Sequence, residues 1–152
     1  MRLDRATIEL ITAQHSVVTR AQLLAAGATK DAIAWRLGSH WRVLLPGVYQ
    51  INRRAPTRAQ REIAGLLAAS PGSRLAGLSA ARWYGIEAAD PADTVQVTVP
   101  APRSTRQVGW LSVQRTTRPD PAAVHREPYH VSSPARAAVS YTHLTLPTKR
   151  IV

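Results

Sequence analysis

Thr19-Arg20-Ala21-Gln22-Leu23-Leu24-Ala25-Ala26-Gly27-Ala28-Thr29-Lys30-Asp31-Ala32-Ile33-Ala34-Trp35-Arg36-Leu37 is the run on which the fold turns. Thr19 with Gln22 three residues later is a capping box. The Thr hydroxyl accepts from a backbone N–H of the first turn, and Gln22 reaches back to the cap. Val18 and Leu23 are spaced to close a hydrophobic staple, and Leu23 with Leu24 gives the short helix its inner face. Gly27 ends that helix, because glycine is free to take positive φ at a helix C-terminus. Thr29 then caps a second helix, Lys30 to about Leu37, whose inward face is Ile33 and Leu37, four apart. Lys30, Asp31, Ala34 and Arg36 are left on or near the outer side. Two short helices about a glycine turn, the second polar at its start, are helix-turn-helix grammar.

Upstream, Asp4 can cap a helix to about Gln14, with Ile8, Leu10 and Ile11 apolar, stopping before His15-Ser16. Downstream, Trp41 to Leu45 and Val48 to Ile51 are β-rich and flank Pro46-Gly47, which predicts a hairpin. A hairpin directly after the second helix is a wing. A recognition helix enters the major groove and offers its first turn to base edges, while the wing and the preceding helix grip phosphates. Thr29, Lys30, Asp31 and Ala34 are therefore expected at base edges, and Arg20, Arg36, His40 and Arg42 at phosphates. A phosphate beside Arg20 would also relieve the conflict of a cation with a helix N-terminus.

Thr57-Arg58-Ala59-Gln60 is a second capping box, opening a helix to about Ala69 with Ile63, Leu66 and Leu67 inward and Ser70-Pro71-Gly72 as its stop. Ser79 is expected to cap a short helix, Ala80 to Tyr84, closed by Gly85. Thr94 to Val99 alternates strictly and predicts a strand; Arg103 to Arg106 reads as a loop and Val108 to Arg115 as a second strand. Pro119, Pro121 and Pro128 interrupt the chain beyond that strand, and Ser132 or Ser133 caps a helix with Pro134 in its first position. The expected class is α+β: a winged helix-turn-helix over residues 1–54, then a small region of helices and antiparallel strands over 55–138.

The 152 residues carry 20 Lys+Arg against 9 Asp+Glu, a formal charge of +11. The excess is +5 over residues 1–56 and +6 over 57–152, so any basic patch is assembled by folding rather than carried on a tail. Such a balance favours an anionic partner, nucleic acid foremost. With no Cys, disulfide frameworks, cysteine zinc sites and thiol nucleophiles are excluded. No apolar run approaches the roughly 20 residues of a membrane span, and no signal-peptide core opens the chain. The expected compartment is the cytoplasm, with no membrane partner. Phe is absent, so Trp35, Trp41, Trp83 and Trp110 are read as core rather than stacking platforms, with Trp35 open between a core edge and the surface. His15, His40, His125, His130 and His143 include no i, i+4 pair, and no metal site is expected. Asp90 and Asp93 beside Pro91 read as a turn, and Glu62 as a surface partner of Arg58 and Arg61. Ser79 lacks a Gly-x-Ser-x-Gly elbow, and no Gly-rich phosphate loop occurs. The chain is read as non-enzymatic and without a cofactor.

Val17 to Gly27, Ala32-Ile33, Arg36-Leu37 and Pro46-Gly47-Val48-Tyr49, in this order, resemble the N-terminal winged-helix domain of AbiEi-type antitoxins over about Gln14 to Ile51. Two features depart from that pattern: Pro46 where the family usually has a basic residue, and Ser39-His40-Trp41 where it often has a basic step into the wing. Ala80-Ala81, Trp83, Gly85-Ile86, Val95 to Pro100, Val113 to Arg115 and Ser133 to Arg136 resemble the same proteins' middle region, without its Ser-His pair. The resemblance implies an antitoxin of type IV toxin-antitoxin systems. It would repress its own operon at a promoter inverted repeat in double-stranded DNA and oppose a cognate nucleotidyltransferase-type toxin. Longer relatives continue into a restriction-endonuclease-like domain, so the chain is expected to be truncated. All 25 alanines precede position 139, and Ser140 to Val152 resembles translated sequencing-adapter sequence. Residues 139–152 are accordingly expected to be a non-native tail. Two other readings stay open: an interaction module whose strands from 94 to 115 bind a partner such as the toxin, and the non-catalytic front of a nuclease.

Overall fold

Caps and left-handed residues set the element boundaries of the computed structural model, which describes residues 1–69, 71–87 and 93–145, with 140–145 as backbone only. Helix α1 (Arg5–Ala13) starts where the Asp4 carboxylate accepts from Thr7 N at 2.8 Å; hydrogen bonding from the Thr7 side chain first, and from its backbone N–H second, holds the Asp4 carboxyl below the usual range. It ends in a Schellman motif. His15 N–H donates to Thr12 O at 3.1 Å and Ser16 N–H to Ile11 O at 2.9 Å, with His15 and Ser16 at φ 54° and 69°. Thr7 and Ile11 face inward, while Ile8 and Leu10 are exposed.

Strand β1 (Val17–Thr19) leads directly into α2 (Arg20–Ala25). The capping box forms as expected: Gln22 N donates to Thr19 Oγ1 at 3.1 Å, and Thr19 N to Gln22 Oε1 at 2.9 Å. Val18 and Leu23 are both fully buried, but Leu24 is exposed and does not share the inner face. Gly27, at φ 90°, closes a second Schellman motif. Then α3 (Lys30–Ser39), β2 (Arg42–Leu45) and β3 (Val48–Gln50) follow, and the three strands form an antiparallel sheet in the order β1-β3-β2. Ile11, Val18, Leu23, Ala28, Ile33, Trp41 and Tyr49 make the core that holds α3 on this sheet.

Helix α4 (Arg58–Ala69) opens with the Thr57–Gln60 capping box. Beyond it lie β4 (Arg74–Leu75), α5 (Gly77–Trp83), β5 (Val95–Pro100), β6 (Arg106–Val108), β7 (Leu111–Thr116), β8 (Val124–Arg126), β9 (Tyr129–Val131) and α6 (Pro134–Thr145). Their strands form one sheet in the order β6-β7-β5-β4-β9-β8. The expectation of antiparallel strands is corrected here: β5 runs parallel to β7, and β4 parallel to β9. The stretch expected as a single strand, Val108 to Arg115, is a hairpin turning at Gly109, φ 57°. That extra reversal brings β7 back in the direction of β5. β7 carries the buried Leu111 and Val113, so it takes the inner place and β6 the edge.

Buried residues of α4, Ile63, Ala64, Leu66 and Ala69, share one core with Val17, Leu45 and Val48 of the first sheet and with Val95, Val97, Val99, Leu111 and Val113 of the second. This enclosure corrects the reading of Glu62 as a surface residue. Its side chain is buried, with Arg58 Nε 3.2 Å away, and burial pushes its carboxyl above the usual range despite the arginine. Asp93 receives Arg58 at 2.8 Å and Arg61 at 2.6 Å, while Asp90, with which it was expected to form a turn, lies outside the described residues.

Ser79 does not cap α5, which begins two residues earlier. Its hydroxyl is buried and accepts from Gln96 N at 2.9 Å, while Gln96 Oε1 accepts from Leu78 N at 2.9 Å. A side chain of the neighbouring strand thus does the work of the missing cap. Gly77 sits at φ 53°, and a Cβ there would run into the Gln96 side-chain amide. Gly77→Ala is therefore expected to destabilise the protein by about 2–4 kcal/mol, from backbone strain plus an unsatisfied Leu78 N–H. A urea midpoint unchanged from wild type would refute this packing.

Helix α6 starts at Pro134 as expected; Ser133 Oγ accepts from Arg136 N at 3.4 Å, and Asp120 Oδ2 accepts from Ser133 N at 2.8 Å. Burial alone would raise the Asp120 carboxyl, but the Ser133 bonds and Arg136 outweigh it and hold it low. The helix runs through the 138/139 boundary to Thr145, and the remainder of the expected tail, 146–152, lies outside the described residues. Among the described residues no helix is long and apolar enough to cross a membrane.

Candidate nucleic-acid interface

The exposed side of α3 follows from its buried side. Ile33 is buried and Leu37 partly so, both packed on the core beneath. At about 100° per residue, a residue two positions from each of them lies across the helix. That residue is Trp35, which is 61% exposed. Of the two places left open for Trp35 by the sequence, core edge and surface, it takes the surface, so the general reading of the tryptophans as core does not extend to it. Trp41 is buried, and Trp83 and Trp110 are half-buried, so the absence of Phe is met by these three together with the aliphatic residues.

Trp35 gathers two of the residues expected at phosphates. The Arg36 guanidinium carbon lies 5.2 Å from its ring centroid, within cation–π range. The His40 ring centroid is 5.4 Å away, tilted by 34°. Ser39 Oγ donates to Trp35 O at 2.9 Å, and Ser39 Oγ and His40 Nδ1 are 2.6 Å apart. A hydroxyl has one proton to give. With that proton on Trp35 O, His40 Nδ1 is the donor in this contact.

Four residues expected at base edges sit at the start of the same helix. Thr29 Oγ1 accepts from Ala32 N at 3.2 Å as the N-cap and keeps its hydroxyl proton for an outside acceptor. Lys30, Asp31 and Ala34 are exposed, and Asp31 is the first-turn acid that suits a helix N-terminus.

Arg42 lies on β2 and is exposed; its Nη2 donates to Arg53 O at 3.0 Å. This bond ties the segment after β3 back along the hairpin and sets the exposed Arg53 and Arg54 beside it. Gln50, fully buried, holds the same segment by donating from Nε2 to Asn52 Oδ1 at 2.6 Å and to Arg54 O at 3.1 Å. Arg20 is exposed at the start of α2, where its backbone N donates to Gly47 O at 2.9 Å and docks the helix on the hairpin turn.

Trp35, Arg36 and His40 thus form one cluster on α3. Lys30, Asp31 and Ala34 are exposed in its first half, Arg42 stands at the hairpin with Arg53 and Arg54, and Arg20 stands at the hairpin turn. Sequence reading missed Trp35 and Arg53. The helical position of Trp35 opposite both Ile33 and Leu37 was the available signal for the first; for Arg53 there was none, because its place depends on how the chain folds back after β3. No protein-family model matches the chain, and no curated protein matches it.

Proposed function

We propose that the chain is a double-stranded DNA-binding protein of the winged helix-turn-helix type, with α3 as recognition helix and β2–β3 as wing. The observation that carries the reading is α3 itself: a capped helix whose outer face is exposed, with Lys30 at its start, Arg36 on its flank, His40 at its end and Arg42 on the following hairpin. The order α1-β1-α2-α3-β2-β3 with sheet order β1-β3-β2 supports it, as does the net +5 of residues 1–56.

Thr29, Lys30, Asp31 and Ala34 face base edges in this reading. Lys30 suits the guanine acceptors, Asp31 the cytosine amino group and Ala34 a thymine methyl. Arg20, Arg36, His40 and Arg42 contact phosphates. Trp35 adds apolar surface that docking removes from water.

The biological role proposed with it is that of an AbiEi-type antitoxin and autorepressor acting in the cytoplasm, with a nucleotidyltransferase-type toxin as second partner and no enzymatic activity of its own. This part rests on the sequence resemblance. The test is binding of the full chain to a duplex carrying the inverted repeat upstream of its own gene, against a scrambled duplex, over a salt series. Three arginine–phosphate contacts give an expected log–log slope of about −3, with tighter binding to the repeat. Failure to bind either duplex at low salt removes the reading.

A further inference from the structure

The β8–β9 hairpin carries a side-chain group that the DNA reading does not use. Strand β8 holds His125 and β9 holds His130, and the register pairs them directly across the antiparallel ladder. Residues opposed in this way project from the same face of the sheet at a separation fixed by the backbone. Their ring centroids are 3.8 Å apart, at an interplanar angle of 70°. Glu127, in the two-residue connection, points one carboxylate oxygen back at both rings: Oε1 is 2.8 Å from His125 Nε2 and 3.5 Å from His130 Nε2. The three candidate ligand atoms all lie within 4.8 Å of one another.

We propose that His125, Glu127 and His130 form a binding site for a borderline divalent transition-metal ion, zinc foremost. Two imidazole nitrogens and one carboxylate oxygen are the donor set such ions take, whereas calcium and magnesium prefer all-oxygen shells. Bonds of about 2.0–2.2 Å to a central ion place neighbouring donors roughly 3.0–3.5 Å apart. The Glu127–His130 spacing already matches, and the Glu127–His125 spacing needs only to open slightly once the ion replaces the shared proton. The Glu127 carboxylate brings a negative charge to the group, so a dication meets attraction within its own shell.

Little ordering is left for the metal to impose. All three ligands lie within six consecutive residues, so the loop that must close is short. β9 is anchored through Leu75↔Val131 to β4, inside the six-stranded sheet. His125 and Glu127 are exposed and His130 is half-buried, so three protein ligands leave the remaining coordination positions to water or to an incoming ligand atom. The helical i, i+4 spacing sought in the sequence was the wrong ruler here. Cross-strand pairing, not helix pitch, brings these histidines together.

The site is independent of DNA binding, and its test is made with zinc alone. The full chain, freed of metal with a chelator, is titrated with Zn²⁺ at pH 7.5 by calorimetry, and the histidine ring nitrogens are followed by ¹⁵N NMR. One equivalent is expected to bind, shifting the Nε2 signals of His125 and His130 while leaving His15 and His40 in place. H125A and H130A are each expected to weaken that equivalent at least tenfold, the double variant to abolish it, and E127Q to weaken it several-fold. H15A is expected to change nothing. Because the NMR readout uses the wild-type chain, the test stands even if a variant folds poorly. No saturable binding, binding unchanged in H125A/H130A, or shifts confined to other histidines would each overturn the proposal.

Discussion

A Lys30→Ala/Arg36→Ala chain is expected to bind its duplex about 30- to 100-fold more weakly than wild type, with the log–log salt slope shallower by about 0.9. The two parts of that expectation have different origins. Lys30 stands at the exposed start of α3, where a side chain reaches base edges, and one good base contact contributes about 1–3 kcal/mol of discrimination. Arg36 lies on the flank of the helix, and removing one phosphate-binding cation lowers the slope by about 0.9. The helix itself should survive the change, because Ile33 and Leu37, which anchor it on the core, are untouched. Truncating Arg36 also removes its guanidinium from the Trp35 ring, an interaction of about 0.5–1 kcal/mol at an exposed site. Fluorescence anisotropy over a salt series, with circular dichroism to check the fold, makes the measurement. Wild-type affinity and slope in the double variant would remove both residues from the interface.

Leu23→Ala carries the largest expected effect on stability. Leu23 is completely buried in the core that supports α3, among Val18, Ile33, Trp41 and Tyr49. Truncating a leucine in such a place costs about 3–4 kcal/mol, the lost transfer free energy plus the cavity left behind. A core this small has few neighbours able to collapse into the gap. Because the same side chain sets the floor under the recognition helix, duplex binding should fall together with stability. Leu24→Ala is the internal control. Leu24 is 38% exposed, and its truncation is expected to cost less than about 1 kcal/mol. Chemical denaturation of both variants compares them directly, and equal losses would contradict the packing of α2.

Much of the first half was legible in the residue order, because its signals are local. The Thr19–Gln22 box, the Thr29 cap, Gly27 and the Pro46-Gly47 turn each act within a few residues, and each appears where it was expected. Strand β1 escaped notice because three residues are too short to display alternation; it exists because β3 lies beside it. The β8–β9 hairpin was hidden for a related reason. Its prolines read as breakers, and Pro128 in fact occupies the turn between two short strands. Ser79 and Glu62 were misjudged in opposite directions. A serine ahead of an alanine pair resembled a cap, and a glutamate between arginines resembled a surface residue, yet both are buried by elements distant in sequence.

Capping, chain reversal and helical periodicity are short-range effects of sterics and hydrogen bonding, so the order of residues alone determined that two short helices and a hairpin follow one another between Thr19 and Ile51. The +11 charge was equally plain from composition, but not its arrangement. Tertiary structure alone decided that Trp35 faces outward while Trp41 is buried, that α4 lies in one core with both sheets, that β7 rather than β6 sits beside β5, and that His125 meets His130. Those outcomes depend on which apolar surfaces cover one another and on which strands pair across long separations. No window of neighbouring residues contains that information, because the energy resides between segments the chain brings together only on folding.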